Sequence, residues 1–96
     1  MPTFLMLHHF TEQGIRNVKQ TVERAKSFKE MAEEMGCKVK EIYWVMGPYD
    51  GCLIIEAPDA ETITAVALKA GSLGNIRTTT MRLYDMDEMS KILARV

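Results

Sequence analysis

Only two cysteines occur in the sequence, Cys37 and Cys52, and no CxxC spacing joins them. A disulfide framework is therefore not implied, and both are expected as reduced, structural thiols. Charge of one sign is lacking too: 12 Lys and Arg stand against 13 Asp and Glu. With no strong field of either sign, nucleic acid and anionic membrane are not expected as partners. No apolar run approaches a membrane span, and the opening Met1-Pro2-Thr3-Phe4-Leu5-Met6-Leu7 has no basic leader and is too short for a signal peptide. The expected compartment is the cytoplasm. Internal repeats, linkers and low-complexity segments are absent, as are G-x-G-x-x-G, P-loop and recognisable Ser or Cys nucleophile patterns. No cofactor is expected.

What is present is an apolar, evenly charged chain of 96 residues, read as one domain spanning residues 1–96. A domain of this size buries only about 60–65% of the surface its unfolded chain exposes, and such marginal cores favour oligomers. The organising stretch is Trp44-Val45-Met46-Gly47-Pro48-Tyr49-Asp50-Gly51-Cys52-Leu53-Ile54-Ile55-Glu56, two β-runs around a turn. Gly permits positive φ, Pro presets φ, and Asp can bond its own backbone, so the stretch predicts a central hairpin.

Upstream, Thr3 to Phe10 predicts a strand with both parities largely apolar: Phe4, Met6 and His8 on one face, Leu5, Leu7 and His9 on the other. A strand of that pattern is covered on both sides. Residues 11–20 read as a loop with a helical turn. Thr21 is the expected N-cap of a helix through Met35, with Val22, Ala25, Phe28, Ala32 and Met35 as its apolar stripe and Gly36 as its stop. Lys38 to Met46 and Cys52 to Ala57 are the second and third strands. Asp59 caps a second helix whose stripe is Ile63, Val66, Ala67 and Ala70, ending near Gly71. Ile76 to Tyr84, β-branched and aromatic, is the fourth strand. A carboxylate capping box, Asp85 to Glu88, then opens a short helix with Met89, Ile92, Leu93 and Val96 on one edge.

The order β-α-β-β-α-β plus a terminal helix predicts an α+β, ferredoxin-like fold: a four-stranded antiparallel sheet with two helices on one face. Two helices cover one face only. The other face, assigned Phe4, Met6, Ile54 and their neighbours, then requires a partner, and a second copy packed sheet against sheet is the simplest.

Three stretches carry a resemblance: Phe10-Thr11-Glu12-Gln13-Gly14-Ile15-Arg16-Asn17-Val18-Lys19, Gly47-Pro48-Tyr49-Asp50, and Gly71-Ser72-Leu73-Gly74-Asn75-Ile76-Arg77-Thr78. With the element order, they make the chain from Thr3 to about Tyr84 similar to the GYD family of dimeric α/β-barrel proteins. One departure is Gln20-Thr21-Val22, where the family pattern leads its first helix with proline. The resemblance implies a ferredoxin-like protomer and a dimeric barrel, and it implies no activity. The hairpin is also similar to the effector-binding domains of the leucine-responsive regulator family, in which a small-molecule site lies between protomers. Related dimeric barrels include cofactor-free monooxygenases and isomerases, whose ligands enter between the sheet and the helices or loops.

Candidate chemistry is confined to a few polar residues. His8 and His9 are adjacent on a strand, so their side chains take opposite faces and no third ligand is spaced to complete a metal site. No metal is expected. Glu56 is the one acid inside an apolar strand, and direct pairing across the turn places Trp44 and Ile42 on its face, joined by His8, Thr80 and Arg82. That group is either a ligand site between protomers or, more simply, a Glu56–Arg82 ion pair with a polar strand-end histidine. Tyr49 and Asp50 either close the turn and pack on a neighbour or form a ligand rim. Arg16, Asn17 and Lys19 are either a solvated loop or an anion-binding one.

The leading functional reading is a homo-oligomeric binding or regulatory module for a small, anionic or amphipathic molecule, with His8, Trp44, Tyr49, Asp50, Glu56, Thr80 and Arg82 as candidate ligand-binding residues. One alternative is a cofactor-free oxygenase or isomerase using His8 or Glu56 as proton acceptor and Arg82 as oxyanion partner. The other is a purely structural assembly unit.

Overall fold

The computed structural model describes residues 1–96. Strand β1 (Thr3–Phe10) leads through a short helix α1 (Glu12–Arg16) and a 3₁₀ turn (Val18–Gln20) into α2 (Thr21–Glu34). Strands β2 (Lys38–Trp44) and β3 (Gly51–Glu56) form the hairpin, and α3 (Ala60–Ser72), β4 (Ile76–Leu83) and α4 (Met86–Leu93) complete the chain. All pairings are antiparallel in the order β2-β3-β1-β4, which is the ferredoxin-like order.

Helices α2 and α3 cover one face of this sheet. Phe4, Met6, Val39, Leu53 and Ile55 are buried beneath them with Ala32, Ile63 and Val66. Because Phe4 pairs with Ile55 in β3 and with Arg82 in β4, the even residues of β1 share a face with the odd residues of β3 and the even residues of β4. The uncovered face therefore carries Leu5, Leu7, Cys52, Ile54, Met81 and Leu83, not Phe4 and Met6 as the pattern alone suggested. Both parities of β1 are apolar, so alternation had no power to choose between them. Cys52 lies on that open face, half-buried, whereas Cys37 belongs to the core.

Trp44 pairs with Gly51 and closes a six-residue connection, Val45 to Asp50, which sets the hairpin parity. Ile42 then lies opposite Leu53 and Tyr43 opposite Cys52, so Trp44 and Ile42 share the helix side rather than the face of Glu56. A bulge between Val39 and Glu41 takes up Lys40 as the extra residue and keeps Val39 in the core. Gly47 at the hairpin tip has φ of 142°, a conformation that glycine alone adopts readily.

Two helix assignments change. The 3₁₀ turn feeds straight into α2, so Thr21 is already helical, Gln20 takes the N-cap position, and no side chain caps the helix start. Val22 is exposed, and the buried stripe instead includes Met31 beside Ala25, Phe28, Ala32 and Met35. Asp59 caps α3 through the Thr62 amide, and the Asp85–Glu88 capping box opens α4 as the sequence predicts. Beyond that box α4 makes little contact with the rest of the fold, and Met86, Met89 and Leu93 stay exposed.

Candidate functional site

The three motif stretches meet at the end of the sheet where β1 finishes. Asp50 turns its Oδ2 onto the backbone N–H of Phe10 at 2.8 Å, and its own N–H donates to the carbonyl of His8 at 2.8 Å. Tyr49 lays its ring on His9, with centroids 4.7 Å apart, and His9 Nε2 lies 2.7 Å from the Pro48 carbonyl. These contacts tie the hairpin to the end of β1. From the other side, the Thr11 hydroxyl donates to the Gly74 carbonyl, and the Thr11 amide bonds that of Asn75 at 3.1 Å. Gly14 is needed in this clamp, because a Cβ there would lie 1.9 Å from the Asn75 carbonyl oxygen. Tyr49, Asp50 and the glycine motifs thus all make contacts within the fold. In the α1 loop, Arg16 pairs with Glu12 at 3.6 Å and the Asn17 side-chain amide donates to the Gln13 carbonyl.

Beside this convergence lies a partly open cavity of about 60 Å³ between the sheet and α2. Its floor is Met6, His8, Ile42 and Leu53, and its roof is Thr21, Arg24, Ala25 and Phe28 from successive turns of α2. Trp44 and Ile76 stand at its rim, and the Trp44 indole N–H donates to the Thr21 hydroxyl at 3.1 Å. Gly51 makes room for the histidine: a Cβ at that position would lie 1.9 Å from His8 Nε2. His8 Nδ1 is buried and has no hydrogen-bond partner. Burial lowers its pKa; the nearby Asp50 carboxylate opposes that shift and His9 reinforces it, so the ring is neutral at pH 7.

Arg24 was not singled out from the sequence. Its guanidinium donates to the carbonyls of Asn17 at 2.7 Å and Gly14 at 3.3 Å, and no carboxylate pairs with it. The available signal was helical spacing, since Thr21, Arg24 and Phe28 lie three and four residues apart. An arginine in that row reads as surface until the sheet beneath it is known.

The remaining predicted site residues are dispersed. Glu56 projects from the open face and pairs with Lys40 at 3.4 Å. Arg82 lies on the helix side near the opposite end of β1, where it bonds Glu88 at 2.6 Å, reaches the carbonyls of Thr3 and Leu83, and stacks on Tyr84. No Glu56–Arg82 ion pair exists, because the two residues occupy opposite faces of the sheet. Thr80 is opposite Met6 with its hydroxyl buried and unpartnered, but it lines a separate groove beside α3. Of the seven candidates, the structure joins His8 and Trp44 in one cavity, with Asp50 behind them. The oxygenase or isomerase arrangement, with His8 or Glu56 as proton acceptor and Arg82 as oxyanion partner, is not assembled, because Arg82 lies opposite Phe4, away from His8, and on the other face from Glu56. No group of three His, Cys, Asp or Glu side chains is placed to hold a metal ion, and no helix is long and apolar enough to cross a membrane.

Comparison with known proteins adds four observations. A model of the GYD domain matches residues 4–93. The glutamine synthetase and cystathionine beta-lyase binding protein of Thermus thermophilus is 35% identical over 90 residues, which are 93% of this chain and 95% of that protein. Among solved structures, TTHA0845 from Thermus thermophilus superposes with a TM-score of 0.58 at 25% identity, covering 88% of this chain and 95% of the other. An AsnC family transcriptional regulator from Agrobacterium tumefaciens shares the fold at 20% identity with a TM-score of 0.57, over 88% of this chain and 51% of the regulator.

Proposed function

The chain belongs to the GYD domain family, and from that premise we propose a homo-oligomeric, small-molecule-binding regulatory module whose ligand occupies the His8 cavity. The observation that carries the reading is His8, a neutral imidazole that lines an otherwise largely apolar cavity and whose buried Nδ1 has no partner. A buried polar atom left without a partner costs about 1–3 kcal/mol, a cost that a bound ligand removes. Largely apolar walls with a few polar groups are also the usual make-up of a small-molecule site. The relative named for binding two enzymes supports a regulatory rather than a catalytic role, with other proteins as further partners.

Oligomerisation belongs to the same proposal. Leu5, Leu7, Ile54, Met81 and Leu83 lie together, half-buried or exposed, on the one sheet face that no helix covers, and a second copy supplies the matching face of a dimeric barrel. The ligand cavity then sits on the far side of the sheet from the dimer contact. Native mass spectrometry of the assembly purified from its own cells tests the reading: a retained small-molecule mass is expected. A consistently empty assembly that shows no thermal shift across a metabolite panel overturns it.

A further inference from the structure

Three features of the His8 cavity point to one ligand chemistry. Arg24 in its roof keeps a full positive charge with no carboxylate to balance it, and its two observed bonds go to neutral carbonyls. A guanidinium has five N–H donors, so donors remain for an incoming group. Thr21, also in the roof, has a hydroxyl that accepts from the Trp44 indole N–H at 3.1 Å and keeps its own proton to donate. His8 contributes a buried ring nitrogen with nothing to bond. The guanidinium favours an anion, and the Thr21 hydroxyl and, as the Nδ1–H tautomer, the His8 ring can each donate a hydrogen bond to one. The other walls, from Met6, Phe28, Ile42 and Leu53, are apolar and bond nothing.

One guanidinium and one imidazole among hydrocarbon walls match a single negative charge with a short apolar tail. A phosphate dianion needs more donors than these, and a polar tail would lose its hydration without compensation. A cavity of about 60 Å³ seats a few heavy atoms, the size of a short chain. Building on the binding-module reading, we propose that the cavity takes a short-chain monocarboxylate, its carboxylate held by Arg24 and His8 and its tail lying against Met6, Phe28 and Leu53.

Trp44, the single tryptophan of the chain, stands at the rim and reports occupancy by fluorescence. The full-length assembly is titrated with sodium propionate and butyrate, and with propionamide and butyramide, at constant ionic strength, with ligand-observed NMR in parallel. Saturable binding of the carboxylates and at least about tenfold weaker binding of the amides are expected, as loss of a charge-assisted bond implies. Arg24→Gln, checked for an unchanged circular dichroism spectrum, is expected to weaken carboxylate binding by about 10- to 100-fold. If Arg24→Gln unfolds, the comparison of acid with amide on the native protein decides alone. Amides bound as tightly as acids overturn the carboxylate inference and leave the binding-module reading standing. Absence of binding by every probe overturns the inference; only if the natively purified assembly is also empty does the underlying reading fall with it.

Discussion

His8 and Gly51 face each other across the β1–β3 ladder, and the imidazole fills the space that any side chain at 51 would occupy. The glycine after Tyr49-Asp50 is therefore a steric partner of the histidine. Gly51→Ala is expected to cost about 1–3 kcal/mol by overpacking. The same change in a His8→Ala background is expected to cost markedly less, because the clashing ring is gone, with a coupling of about 0.5–3 kcal/mol. Urea unfolding at fixed protein concentration measures the cycle. Equal costs in the two backgrounds would show that the ring moves aside freely.

Burial is the main reason that the pKa of His8 lies below its usual 6.5. The charged groups around it are Asp50 from the hairpin, His9 on its own strand and Arg24 from α2. In the unfolded chain the ring gains its proton near 6.5, and in the fold only at lower pH. Its contribution is thus complete above 6.5 and is lost as pH falls from 6.5 through the folded value. Urea midpoints between about pH 8 and 5 are expected to drop more steeply for the native protein than for His8→Gln. Parallel curves would mean that the ring is solvated.

Arg82 and Glu88 pair at 2.6 Å, while Glu56 pairs with Lys40 on the other face. Glu56→Gln and Arg82→Gln are therefore expected to be additive within about 0.5 kcal/mol, as independent sites are. Strong coupling between them would contradict the observed strand register.

Glu88 ties α4 to the sheet through Arg82, whose hydrogen bond is the main reason that its carboxyl lies below the usual 4.5. The tie is present above 4.5 and is lost as pH falls through the folded value. Hydrogen exchange of residues 85–93 is expected to accelerate in Glu88→Gln at neutral pH, and in the native protein on acidification. Unchanged protection in the variant would show that α4 is held by other contacts.

Light scattering at micromolar concentration is expected to return at least a dimer mass, and Ile54→Lys, at the centre of the open face, to shift it towards the monomer. A monomer mass for the native protein would remove the dimeric part of the proposal.

Element order, the hairpin, the caps at Asp59 and Asp85, and the apolar stripe of α3 were all legible in the sequence. Each depends on interactions within a few residues: a turn that needs glycine, a carboxylate beside free helix amides, a periodicity of three and four. The composition of the site was not legible in the same way. Pairing direction and register decide which parity of each strand faces the helices, and β1 and β3 are apolar on both, so local pattern left the choice open. A six-residue connection and a bulge at Lys40 then placed Trp44 with His8 and left Glu56 on the other face. Arg24 entered the site because α2 crosses the sheet above His8, and that long-range packing is encoded in no local spacing.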